Sequence, residues 1–371
     1  MNGHVRVLHI SPAIGGYGAE RLVVELLTHL PDSQVDAALL TIYEPPAHSL
    51  DSLPFPVFHA GRKNRKDRFF IWKLIREIHR YRPDIVHTHT HVGKYWGRIA
   101  ALCAGSRCIV HTEHNPCDFR RTLAERAADW LLDRATSRVV TFFKEQGQRL
   151  SRFERFPMRK VVVIPNGLAL SSTVESRMRA RQKLGVALDE FAIMLVGRME
   201  YQKNHILALR AFSALHRQTR DKALLLFAGA GENEVMLRGL ARALEIEDRV
   251  RFLGYRSDLP TLLPGADLLL MTSWFEGMPL ALLEAMTAGV PVASTPWFGS
   301  REMLGDGRFG FLAADFDPFR VAAQIERAIA HPRMRRSVAE RAQKHVLETY
   351  DVEKMADAHR RLYLQLCGTG Q

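Results

Sequence analysis

Two glutamates lie eight residues apart in the stretch Trp274–Met286, which reads WFEGMPLALLEAM. Pro279 suits the first turn of a helix. Backbone N–H groups of that turn have no acceptor within the helix, so proline, which has no N–H, loses no hydrogen bond there. We therefore expect Glu276 in the loop before the helix and Glu284 in its second turn, among apolar neighbours. Carboxylates accept hydrogen bonds from hydroxyls, whereas the start of a helix favours an anion. The pattern predicts a ligand with hydroxyls on both sides of its phosphates, such as a sugar and a ribose. The structural alternatives are charge complementarity with the helix start for Glu276 and a solvated helix face for Glu284.

Two cations follow an apolar strand pattern further upstream. Arg198 and Lys203 lie five residues apart in GRMEYQKNH, and Lys203 opens the next helical pattern. The start of a helix carries a partial positive charge and therefore disfavours lysine and arginine. A bound anion such as a diphosphate would offset this repulsion. On these two residues alone, a solvated surface pair explains the pattern equally well.

A glycine-rich turn follows the first strand pattern of the chain. Gly15, Gly16 and Gly18 surround Tyr17 and lead into a helical pattern. Glycines let a phosphate approach the backbone, and the helix start behind them offers N–H donors. The turn does not match the GxGxxG dinucleotide fingerprint, and glycines in such turns are also common for steric reasons.

These residues require a scaffold that brings the ends of several strands together. Short β-branched runs alternate with helical patterns, which predicts parallel sheets with helices on both faces. One series of such units ends near residues 160–167, and a second follows the expected linker 168–180. The predicted fold class is α/β, with two doubly wound domains. Ligands of such sheets bind beyond the carboxyl ends of the strands, where the candidate residues lie.

Length and composition agree with this architecture. A chain of 371 residues, 47% of them hydrophobic, exceeds the usual size of a single core. No apolar run reaches the ~20 residues that a transmembrane helix needs, and the N-terminus lacks a signal-peptide pattern. The four cysteines form no CxxC pair, which indicates reduced thiols. We therefore expect a soluble, cytoplasmic protein.

Positive charge is concentrated in the N-terminal part of the chain. The net charge is +12, and residues 1–165 hold 25 lysines and arginines against 16 acidic residues. Such a surface attracts phosphate-bearing substrates, anionic lipids or nucleic acid, and charge alone does not distinguish them. Residues 61–82 hold nine basic residues beside Phe69, Phe70 and Trp72. This combination is typical of helices that lie on anionic membranes, and a solvated helix face is the structural alternative.

Two segments, GRMEYQKN and SWFEGMPLALLEAMTAGVPVAST, resemble the retaining glycosyltransferases of family four, which have the GT-B fold. The signature of that family is a glutamate, seven residues and a second glutamate, with a glycine after the first. Weaker similarities follow in the same order along nearly the whole chain: GGYGAE, PDIVHTHTH, VHTEHN, IPNG, LFAGAGE, VRFLGY and YDVEKMADAHRRLYLQL.

The resemblance implies two Rossmann-like domains that face a cleft. Residues 1–167 would bind the acceptor, residues 181–351 would bind the nucleotide-sugar, and a helix at about 352–371 would pack back on the first domain. The implied reaction moves a sugar from a UDP- or GDP-sugar to a hydroxyl of a glycan or lipid-linked acceptor, with retention of configuration. It would serve cell-surface polysaccharide or glycolipid synthesis and requires no metal or other cofactor. Lipid-linked acceptors also make peripheral membrane contact through residues 61–82 an expectation.

The resemblance assigns roles to the charged residues. Arg198 and Lys203 would bind the diphosphate, Glu276 would contact hydroxyls of the transferred sugar, and Glu284 would contact those of the ribose. No protein nucleophile is evident, so the implied route is attack by the acceptor hydroxyl on the face that the diphosphate leaves. The two cations and the helix start would stabilise the charge that develops on the leaving group.

Further roles concern the backbone and a histidine. His114 would lie near the sugar, and Gly16 would let the N-terminal loop close over the diphosphate. The backbone that would face the phosphates and the sugar belongs to Gly277, Met278, Pro279 and Leu280. The implied catalytic residues are His114, Arg198, Lys203 and Glu276.

The chain departs from the family in the segment FGSRE. Family members often have a Gly-Gly pair ahead of a glutamate at this place. Phe298 stands at the first position of that pair, so the resemblance assigns no role to Glu302.

Two patterns suggest metals at first sight. Asp315 and Asp317 form a DxD, but a proline and a helical pattern follow, which favours Asp317 as an N-cap. His87, His89 and His91 alternate at a strand end and are expected on one face, but no cysteine or carboxylate completes a zinc ligand set nearby. We interpret these histidines as the lining of an acceptor cleft, with a structural role as the alternative. No metal site is therefore predicted.

Two other functions are compatible with the sequence. A nucleotide-sugar 2-epimerase would share the fold and convert the donor without an acceptor. A nucleic-acid-binding protein would explain the charge, but no RNA or DNA module is recognisable and the basic segment lacks a stacking platform. The expected partners are therefore the donor, the acceptor and an anionic membrane surface, without nucleic acid.

Overall fold

The computed structural model describes residues 4–15, 18–30, 34–46, 50, 53–64, 66–114, 122–169 and 175–368. Within these ranges, only the backbone is described for residues 123 and 124. The chain divides into two compact units. Unit 1 comprises residues 1–169 and 350–371, and unit 2 comprises residues 170–349. Within the described ranges, no helix combines the length and apolar character that crossing a bilayer requires.

Unit 1 is built on a parallel sheet of seven strands. Their order in the sheet is β3-β2-β1-β4-β5-β6-β7, so the direction of strand addition reverses between β1 and β4. The strands are β1 (Val5–Ser11), β2 (Val35–Thr41), β3 (Val57–His59), β4 (Ile85–His89), β5 (Ile109–Thr112), β6 (Arg138–Thr141) and β7 (Val161–Val163). Most residues of the central strands are buried, as expected for a sheet covered on both faces.

Helices cover both faces of this sheet. They are α1 (Gly18–His29), α2 (Phe70–Tyr81), α3 (Thr90–Val92), α4 (Arg98–Cys103), α5 (Leu123–Ala135) and α6 (Lys144–Glu154), with a π-helical segment at Gly93–Gly97. The last helix of the chain, α16 (Val352–Cys367), packs against α1 and β1. It contributes Met355, Leu362 and Tyr363 to the core. Unit 1 therefore combines elements from the N-terminal and C-terminal parts of the chain.

Unit 2 repeats the architecture with six parallel strands. Their order is β10-β9-β8-β11-β12-β13, with the reversal between β8 and β11. The strands are β8 (Phe191–Val196), β9 (Ala223–Ala228), β10 (Val250–Gly254), β11 (Leu268–Met271), β12 (Val292–Ser294) and β13 (Phe311–Leu312). The prediction of two doubly wound α/β sheets is confirmed.

Helices surround the second sheet as well. They are α7 (Arg177–Leu184), α8 (His205–Ser213), α9 (Arg217–Arg220), α10 (Glu234–Ala243), α11 (Leu259–Leu262), α12 (Leu280–Thr287), α13 (Ser300–Met303), α14 (Pro318–Ala330) and α15 (Pro332–Thr349). Asp317 caps α14 as predicted, because its side chain accepts from the N–H groups of Phe319 and Arg320. Residues 177–180 belong to α7 and not to the predicted linker, because Ser176 caps that helix. The apolar signal of α7 is weak, which explains the difference.

Gly167 lies where the two chain segments of unit 1, residues 1–169 and 350–371, pack closely together. A Cβ atom at this position would lie 2.5 Å from the carbonyl oxygen of Asp351 and 2.5 Å from Val352 Cα. We predict that Gly167→Ala lowers the free energy of unfolding by about 1–3 kcal/mol, because backbone atoms must move. Gly18→Ala is the control, since no heavy atom lies within 4 Å of its added Cβ. Equal urea midpoints for the two variants would contradict the prediction.

Candidate active site

An ion pair in unit 2 links the segment that contains Arg198 and Lys203 to the segment that contains Glu276 and Glu284. Lys203 Nζ donates to Glu276 Oε1 at 2.6 Å, and the Glu276 residue is only 4% exposed. Ser273 Oγ donates to the same oxygen at 2.6 Å, and Gln202 Nε2 donates to Glu276 Oε2 at 3.1 Å. The sequence did not indicate Ser273 or Gln202. Gln202 lies 74 residues from Glu276 along the chain, whereas Ser273 precedes Glu276 by three residues and reaches it through the path of the loop.

The fold brings these loops together because β8 and β11 are neighbours in the sheet. Thr272 Oγ1, just after β11, donates to the carbonyl oxygens of Lys203 and Asn204 at 3.0 Å each. Gly197, just after β8, has φ +150°, and a Cβ there would lie 2.7 Å from Lys203 Cε. Glycine, which has no Cβ, therefore leaves room for the aliphatic part of the Lys203 side chain to pass the end of β8.

The start of α12 lies in the same segment as Glu276. Pro279 is the N-cap residue and Leu280 is the first helical residue, so Pro279 lies one position earlier than predicted. Gly277, Met278, Pro279 and Leu280 are all buried. The first N–H groups of a helix have no acceptor within the helix, so this start can receive an anion. Glu284 lies in the second turn and is 7% exposed, which excludes the solvated helix face.

Arg198 differs from Lys203 in its surroundings. Its guanidinium is paired with Glu200 at 2.8 Å, and the two side chains are 48% and 35% exposed. Ion pairs between exposed side chains contribute about 0–1 kcal/mol. Arg198 can therefore change partners at little cost, whereas Lys203 is held by a buried carboxylate.

A cavity of about 580 Å³ opens beside the Arg198–Lys203 loop. Its lining includes Glu200, His205 and an aromatic group in which Trp274 stacks on Tyr201 and packs against Phe316. None of the predicted donor-binding residues that the structure describes lines it. The predicted site therefore adjoins this cavity and is not inside it, since Glu200 and Trp274 of the lining belong to the same two segments.

The predicted histidine of unit 1, His114, follows β5. Its Nε2 lies 3.2 Å from His89 Nδ1, its ring packs on Phe142, and the residue is 9% exposed. Burial lowers the pKa of His114 to about 3, so the ring is neutral at physiological pH. His114 belongs to unit 1, whereas Arg198, Lys203, Glu276 and Glu284 belong to unit 2. The predicted phosphate contact Gly16 lies outside the described residues.

His114 adjoins a buried group of histidines. His87 and His89 at the end of β4 are 0% and 2% exposed, which favours the structural role over a cleft lining. His91 is exposed in α3 and not on the same face, because the strand ends at His89. His9 from β1 takes its place, and the three rings of His9, His87 and His89 have nitrogens within 4.8 Å of one another. Among the described residues, these three form the group that could hold a metal ion.

The sequence contains the signal for His9, although the prediction missed it. His9 pairs with His87 in the register of β1 and β4, so both lie at the ends of adjacent strands. Recognising it required the strand order, which a single sequence does not give.

A buried ionic cluster supports the chain just before His114. Lys94 is 3% exposed and lies 2.9 Å from Glu113 and 3.4 Å from Glu154. Burial alone would raise the pKa of Glu113, but the Lys94 ammonium and His111 outweigh it and hold that pKa well below its usual range. The charge next to His114 is therefore compensated inside unit 1.

The segment that departs from the family pattern forms the start of α13. Gly299 is the N-cap residue with φ +85°, and Glu302 is exposed. Trp297, just before it, is 2% exposed and donates to Ser294 Oγ at 2.9 Å. A large buried side chain thus anchors the segment that precedes α13.

Two protein families match the chain and together span nearly all of it. Residues 176–345 match the model of glycosyl transferases group 1, and residues 16–172 match that of glycosyltransferase family 4. The fold and the paired glutamates agree with these matches. The chain therefore belongs to the glycosyltransferases of group 1 and family 4, and it is a transferase enzyme with the GT-B fold.

Individual relatives extend this result. The chain is 24% identical to the UDP-Gal:alpha-D-GlcNAc-diphosphoundecaprenol alpha-1,3-galactosyltransferase of Escherichia coli, over 98% of this chain and 97% of that protein. It is 28% identical to the lipopolysaccharide glucosyltransferase WaaG of Escherichia coli K12, over 64% of each. The crystal structure of Anabaena HepE in complex with UDP and glucose has the same fold, with a TM-score of 0.85, 22% identity and coverage of 97% of this chain and 99% of that chain.

Because its buried histidines are neutral, we expect the folded chain to become less stable in acid. Burial lowers the pKa to about 3 for His9 and about 4 for His111 and His359. It also lowers the pKa of His87 and His89 well below 6.5. These five rings and that of His114 take up protons near pH 6.5 only in the unfolded chain. The free energy of unfolding is therefore highest above that pH and decreases below it. We expect a loss of about 1 kcal/mol per histidine between pH 7 and 5.5, together comparable with a typical total stability.

Urea unfolding at pH 7.5, 6.5 and 5.5 measures this dependence. His359→Gln should reduce the pH slope, because one proton-binding site of the unfolded chain is removed. His79→Gln is the control, since His79 is exposed in the folded chain. A free energy of unfolding that stays constant over this range would contradict the prediction.

Proposed function

We propose that the chain transfers a sugar from a UDP- or GDP-linked donor to a hydroxyl of a glycan or lipid-linked acceptor, with retention at the anomeric carbon. The observation that carries the proposal is the pair between partly buried Lys203 and buried Glu276 beside the start of α12, with Glu284 buried in the same helix. This arrangement offers positive charge for a diphosphate and carboxylates for hydroxyls. A nucleotide-sugar is the ligand class that carries both.

The names of similar proteins support a uridine nucleotide. The Escherichia coli relative is named for UDP-Gal, and the Anabaena structure contains UDP and glucose. The same relative is named for a lipid-diphosphate acceptor, which supports a lipid-linked acceptor for this chain. In the proposal, the N-terminal region 1–167 binds that acceptor and the region 181–351 binds the donor.

Each side chain of the site has a proposed role. Lys203 keeps two of its three N–H groups for the diphosphate after bonding Glu276, and Arg198 exchanges Glu200 for phosphate oxygens. A carboxylate has about four lone-pair positions, so Glu276 can still accept a bond from a sugar hydroxyl. Glu284 binds the ribose hydroxyls.

The proposed chemistry is electrostatic. As the bond from the sugar to the diphosphate breaks, negative charge develops on the leaving oxygen. Lys203, Arg198 and the N–H groups at the start of α12 stabilise that charge, and the acceptor hydroxyl gives its proton to the departing phosphate. His114, which is neutral, hydrogen-bonds to the sugar. Because the protein supplies the cations, the proposal includes no metal.

Removal of either cation tests the proposal. We predict that Lys203→Ala and Arg198→Ala each lower turnover of a UDP-sugar by about 10²–10³-fold, because a charged contact to the leaving group is lost. Lys203→Ala also leaves the Glu276 carboxylate without its cation, so the melting temperature is measured for each variant. Arg198 is exposed, and its replacement carries no such cost.

Controls separate this function from the alternatives. Lys222→Ala, at an exposed lysine of unit 2, should leave turnover unchanged. Near-normal turnover in both site variants would refute the assigned roles. Conversion of the donor without any acceptor would instead favour the 2-epimerase, and salt-dependent binding to nucleic acid without nucleotide-sugar binding would favour the nucleic-acid-binding protein.

A membrane contact is a further part of the proposal. Phe69 and Trp72 are 79% and 69% exposed beside the basic residues of α2. Phe70, which the sequence grouped with them, is 1% exposed and belongs to the core, because it lies on the same helix face as Leu74. Exposed aromatic rings next to lysines and arginines suit the interface of an anionic bilayer, where a lipid-linked acceptor resides.

Vesicle binding tests the membrane contact. We predict that replacing Lys63 and Lys66 by glutamine lowers binding to phosphatidylglycerol vesicles at least about tenfold, because each basic residue near the surface contributes about 1 kcal/mol. Trp72→Ser should lower it as well. Phe319→Ser is the matched control, since Phe319 is 72% exposed beside Arg320 in unit 2. Unchanged binding of the lysine and tryptophan variants would exclude this surface.

A further inference from the structure

Six buried side chains of unit 1 form a continuous chain of hydrogen bonds that ends at His114. They come from β1, β4, β5, the segment after β5, and α16. In order along the chain of bonds they are Thr112, His87, Tyr363, His9, His89 and His114. The five contacts measure 2.7, 2.6, 3.3, 2.9 and 3.2 Å. Such a chain has a direction, because every bond needs one donor and one acceptor.

The direction is set at Thr112. Burial keeps each imidazole neutral, and a neutral imidazole has one N–H and one acceptor nitrogen. In the part of the chain that the structure describes, the Thr112 hydroxyl has His87 Nε2 as its hydrogen-bond partner and no other. If Thr112 accepted this bond, its own proton would be buried without an acceptor, which is unfavourable. Thr112 therefore donates, and His87 carries its proton on Nδ1.

The remaining bonds follow from this first one. His87 Nδ1 donates to the Tyr363 oxygen, and the Tyr363 hydroxyl donates to His9 Nε2. His9 then carries its proton on Nδ1 and donates to His89 Nε2. His89 in turn donates from Nδ1 to His114 Nε2. Every polar group along the path is satisfied in this direction.

We infer that this network holds His114 as the tautomer with its proton on Nδ1, so that the ring presents an N–H donor at the nitrogen that does not contact His89. Among the described residues, Nδ1 of His114 has no hydrogen-bond partner, and the residue keeps 9% of its surface exposed. Thr112 and Tyr363 are positioning residues that act through the histidines. The role of this donor toward a sugar oxygen rests on the proposed function, whereas the tautomer does not.

A metal ion is the competing explanation for His9, His87 and His89. In the hydrogen-bonded network, however, both nitrogens of His9 and both of His89 already have partners. An ion bound between these rings would have to displace the contact between His9 Nδ1 and His89 Nε2. The two explanations therefore predict different protonation of the same nitrogens.

Ring-nitrogen NMR tests the tautomer directly. In protein labelled with ¹⁵N in the histidine rings, the His114 signals are assigned by their loss in His114→Asn. We expect Nδ1 of His114 to be protonated and Nε2 to be unprotonated in the wild type. Thr112→Val should produce the opposite tautomer or a mixture, and Thr112→Ser should restore the original state. Thr41→Val is the control, because Thr41 ends strand β2 of the same sheet and, among the described residues, its hydroxyl bonds to backbone oxygens.

Three results would overturn the inference. They are a proton on Nε2 of His114 in the wild type, an unchanged tautomer in Thr112→Val, and stoichiometric zinc in the purified protein whose removal shifts the signals of His9, His87 and His89. Because these readouts do not require turnover, they stand even if the proposed function fails.

Activity provides an independent readout of the same donor. The amide nitrogen of asparagine can replace an Nδ1–H group, whereas that of glutamine replaces an Nε2–H group. We therefore expect His114→Asn to retain at least about tenfold more turnover than His114→Gln. The reverse order would contradict the inference, and absence of turnover in the wild type would reject the proposed function alone.

Discussion

The ion pair between Lys203 and Glu276 is the contact on which the candidate donor site depends. A carboxylate that is 4% exposed requires compensation, because an unpaired buried charge costs several kcal/mol. Lys203, Ser273 and Gln202 supply the donors, and all of them lie in the loops that follow β8 and β11. These loops are adjacent because the strand order reverses between those two strands. The topology of the sheet thus determines which charges meet, as in other doubly wound folds.

The histidine network of unit 1 follows a different principle. Burial keeps His9, His87, His89 and His114 neutral, and these rings match donors with acceptors, so they need no counter-ion. Charged groups are separated into a second cluster, in which Arg98 lies 2.7 Å from Asp133 and Lys94 lies 2.9 Å from Glu113. A neutral network can be extended through several rings at low desolvation cost, whereas a charged one must be compensated locally. This separation lets a polar chain run through the core from α16 to His114.

The sequence predicted features that depend on neighbouring residues and missed those that depend on contacts between distant segments. Alternating patterns were sufficient for both sheets, and the apolar neighbours of Glu284 correctly indicated its burial. The proline after Asp317 likewise identified an N-cap. By contrast, the partnership of His9 with the histidines of β4 follows from strand order, and that of Gln202 with Glu276 joins segments 74 residues apart. Neither is encoded in the spacing of residues.

The two cations of the proposed site differ in a way that bears on selectivity. Lys203 is fixed by a buried carboxylate, so its position is set before a ligand arrives. Arg198 is paired with the partly exposed Glu200, which competes for the guanidinium with any ligand that uses it. A neutral sugar cannot compete with a carboxylate for arginine, whereas a diphosphate can, because its oxygens match the planar guanidinium. In the proposed site, this weak pairing with Glu200 therefore adds a small preference for the diphosphate of a nucleotide-sugar over a free sugar.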